Sequence, residues 1–129
     1  LAFDWWIHNE DRTLSAHGGN PNLFWDEVNK QLVVIDHNQA FDRDFDASNF
    51  FSTHIFAEQW IAITQCNELQ ATMCQQMQSA LREWDKIVQS IPNAWWYSDD
   101  EQTVSAQIDT MHIYNHLNRV SGNDFWRTP

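Results

Sequence analysis

FDWWIHNEDRTLSAHGGNPNLFWDEVNKQLVVIDHNQAF, residues 3–41, is the stretch on which the reading of this chain turns. Residues 1–8 put Leu1, Trp5 and His8 on one helical face, and Ala2, Phe3, Trp6 and Ile7 fill most of the others. The pattern predicts a helix buried nearly all round. Residues 9–21 follow as a polar loop holding Asp11 and the pair Gly18 and Gly19, where the backbone has the most freedom in the first half. From Asn22 the period changes. NLFW and QLVVID are short apolar runs rich in β-branched and aromatic residues, and the polar DEVNK between them signals a hairpin. Asp36, His37 and Asn38 end the second strand. This order brings Asp11, Asn22 and Asp36 to one end of a small hairpin. Two carboxylates and an amide at strand ends suit a divalent cation and phosphate better than they suit a core.

Outward from there, residues 39–53 mix Phe41, Phe45, Phe50 and Phe51 with Asp42, Asp44 and Asp46, and are expected to form an irregular loop pinned by aromatics over the site. Residues 57–64 predict a short helix. Leu69, Met73, Met77, Leu81, Trp84, Val88 and Ile91 recur at spacings of three and four, which predicts one long helix stopped by Pro92. Ser98 followed by Asp99, Asp100 and Glu101 reads as a cap with acids in the first turn, with Val104, Ile108, Met111 and Leu117 carrying that helix to Gly122. The tail NDFWRTP is expected to dock. The fold class is therefore mainly α with a small β-hairpin, an α+β arrangement in a single domain of residues 1–129. Residues 1–56 hold the loop, hairpin and metal loop, and 57–129 form a helical subdomain.

With 129 residues, 43% of them hydrophobic, and eight Trp and eight Phe, the chain can bury a real core. A formal net charge of −11 with only seven Lys and Arg opposes attraction to nucleic acid, which depends on basic side chains neutralising phosphates. No apolar run is long enough to span a bilayer, and the start lacks a secretory pattern. A cytoplasmic protein with neither nucleic-acid nor membrane partner is expected. Cys66 and Cys74, if on one helix, lie about 12 Å apart along its axis, beyond the reach of about 7 Å that a disulfide allows, and are expected to be free. The chain opens at Leu1 directly in an apolar segment, and is expected to be a fragment of something larger.

The strings FDWWIHNEDRTLSAHGGNPNLFW and LVVIDHNQAF resemble the catalytic half of the HipA-like kinases, a bacterial branch of the protein-kinase-like fold. The helical remainder resembles the helices that complete that family's C-terminal lobe. The resemblance implies a serine/threonine protein kinase, a transferase using Mg²⁺ and ATP. It puts Asp11 of NEDR at the catalytic aspartate, Asn22 of NPNLF at the metal-binding asparagine, and Asp36 of IDHN at the metal-binding aspartate. Arg12 either steadies the loop or reaches a phosphate. His37 and His54 either contact nucleotide or metal, or hydrogen-bond backbone near the site. Asn9 and Asn20 are expected to support the loop, Asn20 also competing with Asn22 for the metal. The departures are a longer loop from Asp11 to Asn22, Ala16 where kinases commonly have Asn, and His37 and Asn38 in place of the Phe and Gly of a DFG motif. A phosphate-covering loop and a nucleotide-reaching lysine are absent, since Lys30 falls in the hairpin turn and Lys86 in the long helix. Alone, the chain is expected to be inactive, with a missing N-terminal lobe or a protein partner completing it and the protein substrate unknown. Two other readings stand beside this one. The first is a noncatalytic acidic helical module that binds a protein through exposed Trp. The second is a metal site at Asp109, His112 and His116.

Overall fold

In the computed structural model, which describes residues 1–127, helices predominate and a single antiparallel hairpin supplies the sheet among the described residues. The chain divides into two compact units, Leu1–Gln70 joined by Trp126 and Arg127, and Ala71–Phe125. The α+β class read from the sequence holds.

In the first unit, α1 (Ala2–Ile7) buries Ala2, Asp4, Trp5, Trp6 and Ile7 and ends on His8 in the left-handed conformation. The hairpin pairs β1 (Leu23–Asp26) with β2 (Gln31–Val34), Leu23 opposite Val34 and Trp25 opposite Leu32. Its turn is tied by the Asp26 carboxylate, which accepts from the N–H groups of Val28 and Asn29 at 2.9 and 3.0 Å. The segment expected to be irregular contains a helix instead, α2 (Ala47–Thr53). Asp46 caps it by accepting from the N–H of Ser48 and of Asn49, so a residue read as one more loop acid starts a helix. The aromatic pinning is present: Trp5 lies 5.1 Å from Phe51 and 5.7 Å from Phe45, and Phe50 is fully buried. α3 (Gln59–Thr64) adds Trp60, whose ring stacks on Trp126 at 6.2 Å.

The predicted long helix is two. α4 (Asn67–Leu81) stops where the Glu83 N–H turns to the Ala80 carbonyl, three residues back, and α5 (Trp84–Ser90) begins afresh. Periodicity ran through the break because the apolar spacing continues across it. The helix expected from Ser98 is absent there. The Asp99 carboxylate instead accepts from the N–H of Thr103 and of Val104 and from the Thr103 hydroxyl at 2.7 Å, closing a loop. α6 (Thr110–Asn118) starts later, capped by Asp109 accepting from the His112 N–H at 2.9 Å. Met77, Leu81, Leu117, Val120 and Phe125 are the buried apolar residues of the second unit. Both cysteines are free. Of the tail expected to dock, Thr128 and Pro129 lie outside the described residues.

Candidate metal and phosphoryl-transfer site

Asp4 and Arg12 form the floor of the loop. Asp4 belongs to a helix apolar on nearly all sides, and a carboxylate desolvated there requires a cation. Arg12, also buried, supplies it: Nε lies 3.1 Å from Asp4 Oδ2 and Nη2 lies 3.1 Å from Oδ1. His54 completes the cluster, its Nε2 lying 3.1 Å from Asp4 Oδ2 while its Nδ1 accepts the Phe56 N–H at 3.0 Å. With Nδ1 accepting, the Nε2 nitrogen carries the proton and donates it to Asp4, so the ring is neutral. Burial lowers the His54 pKa against the opposing pull of Asp4. Burial also drives the Asp4 carboxyl upward, but hydrogen bonds from His54 and Arg12 outweigh it and hold Asp4 well below the usual carboxylate range. Asn9 is fully buried and donates through Nδ2 to Asp4 Oδ1 at 3.3 Å.

The rest of the guanidinium faces the hairpin. Arg12 Nη1 reaches the carbonyl oxygens of Asn22 at 2.6 Å, Pro21 at 3.3 Å and Ile35 at 3.3 Å, and Nη2 lies 3.3 Å from His37 Nε2. Every N–H of the side chain has a partner inside the protein. Arg12, expected either to steady the loop or to reach a phosphate, is buried with its donors on Asp4, the hairpin carbonyls and His37. His37 is half-buried between Arg12 and the edge of Phe3, 5.5 Å away. Of the two roles open to His54, the structure gives it the backbone bond.

On this floor Asp11 sits in irregular backbone. Its Oδ2 accepts from Asn22 Nδ2 at 3.1 Å and from Asn20 Nδ2 at 3.0 Å, so both asparagines converge on one carboxylate oxygen. Asn22 alone is also tied to the hairpin, its carbonyl accepting the Ile35 N–H at 3.0 Å. Its Oδ1 has no protein partner among the described residues. Asp36 directly follows Ile35, is exposed, and accepts the Asn38 N–H through Oδ1 at 3.3 Å, and its Oδ2 has no protein partner among the described residues. No side-chain bond joins Asp36 to Asp11 or Asn22. Asn22 and Asp36 both have positive φ, 47° and 53°. Asn and Asp are the non-glycine residues that tolerate this region best. An amide oxygen and a carboxylate at one end of the hairpin are hard donors, and they fit Mg²⁺, which takes one or two protein oxygens and keeps several waters.

The sequence reasoning missed Asp4 as a hub. The signal was available: a lone acid in an otherwise apolar helix, eight residues before an arginine. Asp109, expected with His112 and His116 at a metal, is a helix cap, and among the described residues no group of three or more His, Cys, Asp or Glu could hold a metal ion.

The α+β fold thus brings Asp11 and Asn22 into contact and sets Asp36 directly after Ile35 at the same hairpin. The family model for HipA-like kinases matches residues 1–129, the whole chain, and the chain belongs to that family. Comparison with the curated proteins and with the solved structures found no match. Among the described residues, no helix is long and apolar enough to cross a membrane.

Proposed function

We propose that this chain carries the base and the metal ligands of a serine/threonine protein kinase, and that an N-terminal lobe must join it for turnover. Asp11 orients the hydroxyl of the protein substrate and accepts its proton. Asn22, through Oδ1, and Asp36, through its carboxylate, would hold Mg²⁺ as its ATP complex. Bound there, Mg²⁺ supplies positive charge to the phosphate oxygens as the phosphoryl group moves. Asn20 steadies Asp11 from the loop side, and His37, held beside Arg12, is the candidate nucleotide contact. The observation that carries the reading is the bond from Asn22 Nδ2 to Asp11 Oδ2, which steadies the base while the amide oxygen keeps no protein partner among the described residues.

Calorimetric titration with Mg²⁺ and ATP tests it. Wild type is expected to bind, and Asp36→Asn to bind at least tenfold more weakly, in line with the loss of one charged ligand. Equal binding by both, or none by either, rejects this chain as the metal-holding half. A second reading draws on Trp25 in the first unit and Trp95 in the second, 54% and 68% exposed, each of which suits a protein contact on its own unit. If the chain captures a protein partner with unchanged affinity when Asp36 is replaced, that reading takes over.

A further inference from the structure

We infer that Arg12 is the positioning residue of the proposed Mg²⁺ site, with buried Asp4 and His54 holding it to that task; the inference rests on Asn22 and Asp36 being the metal ligands. A two-stranded hairpin is marginal by itself, and the open end of this one must keep two ligands in register. Arg12 Nη1 lies between the Asn22 carbonyl at 2.6 Å and the Ile35 carbonyl at 3.3 Å. One of these belongs to a proposed ligand and the other to the residue preceding the second ligand. The Ile35 N–H closes the arrangement by donating to the same Asn22 oxygen at 3.0 Å. A planar fork fixes direction as well as distance, and an ammonium does not.

Charge enters as well. An arginine beneath a cation site would repel the cation unless neutralised. Asp4 occupies Nε and Nη2 and cancels that charge, and neutral His54 anchors Asp4 without adding another. In the floor of the site the Asp4 carboxylate offsets the guanidinium charge and also lies 3.5 Å from the Leu1 amino group, and the attraction for Mg²⁺ is left to the residues above it.

Arg12→Lys keeps the charge and removes the fork. Three measurements on the full chain read the result: thermal melting by circular dichroism for folding, the Asn22 side-chain amide signal in a ¹H–¹⁵N spectrum, and Mn²⁺ binding followed by electron paramagnetic resonance. In folded Arg12→Lys, the Asn22 amide signal is expected to move toward that of a free asparagine. Mn²⁺ affinity is expected to fall about tenfold or more, as when a group supporting metal ligands is lost. A folded Arg12→Lys with both unchanged overturns the inference. Trp60→Phe, a core change away from the loop, should move the melting temperature and neither of the other readouts. If Arg12→Lys does not fold, His54→Gln decides, since its amide can still donate to Asp4. The same resonance should shift in the same direction by less, and no shift in folded protein counts against Arg12. Should wild type bind no Mn²⁺, the metal reading fails, while the amide signal still reports whether Arg12 positions Asn22.

Discussion

Inside the first turn of α1, Asp4 and its cation have exchanged water for each other, and the exchange is favourable only while both are present. Removing one partner leaves the other buried and uncompensated, so Asp4→Ala is expected to destabilise the chain by about 3–5 kcal/mol. Urea denaturation measures it, and a loss below about 1 kcal/mol would mean that Asp4 and Arg12 are solvated. The same cluster sets a pH dependence. The folded pKa of His54 lies below its ordinary 6.5, so the unfolded chain takes up a proton that the folded chain refuses. Stability from this group is therefore complete above the ordinary value and is lost as pH falls beneath it. Asp4, held low, adds a second loss under the usual carboxylate range. The urea midpoint should drop between about pH 7.5 and about pH 5, and drop less in His54→Gln. A third position needs no charge at all. A Cβ on Gly19 would stand 2.5 Å from the Thr13 carbonyl oxygen and 2.8 Å from the Leu14 Cα, both backbone atoms that cannot swing aside. Gly19→Ala is expected to disrupt the loop and weaken Mn²⁺ binding along with stability, and an unaffected Mn²⁺ isotherm would refute that.

Among the elements, the hairpin and α1 were legible because their patterns are unambiguous: short apolar runs rich in β-branched and aromatic residues separated by a polar stretch, and a segment apolar nearly all round. α2 was not, because its first residues, Asp46 to Asn49, read equally well as turn formers, and only the cap geometry decides between the two. Asp46→Ala should therefore cost about 1 kcal/mol, detectable as a lowered melting temperature, and a neutral result would mean that packing of Phe50 alone holds the helix. The opposite error occurred at Ser98, where Asp99 spends its carboxylate on the N–H groups of Thr103 and Val104. Acids near a Ser can begin a helix or close a loop, and the sequence does not say which. Of the proposed site, Asp11, Asn22 and Asp36 were readable as candidates by residue type and by their place on loop, strand start and strand end. For Arg12 the two roles, loop support and phosphate contact, could not be separated, since a surface arginine and a buried one look alike until the carboxylate opposite is known.

For the molecule as a whole, charge is the governing quantity. A net charge of −11 is carried by a chain whose proposed ligands are a divalent cation and its ATP complex, itself a net anion. Long-range attraction therefore favours a divalent metal and opposes polyanions. No retardation of duplex DNA is expected in a gel-shift experiment at about 0.15 M salt, and a retarded band would contradict this.

The left-handed backbone at Asn22 and Asp36 has a consequence for how such positions can vary. Steric rules there favour glycine, asparagine and aspartate over most other side chains. Two of the three carry an oxygen donor. A randomised library at these two sites, screened for solubility alone and blind to chemistry, would still return mostly metal-competent letters, because the geometry of the chain has already narrowed the choice.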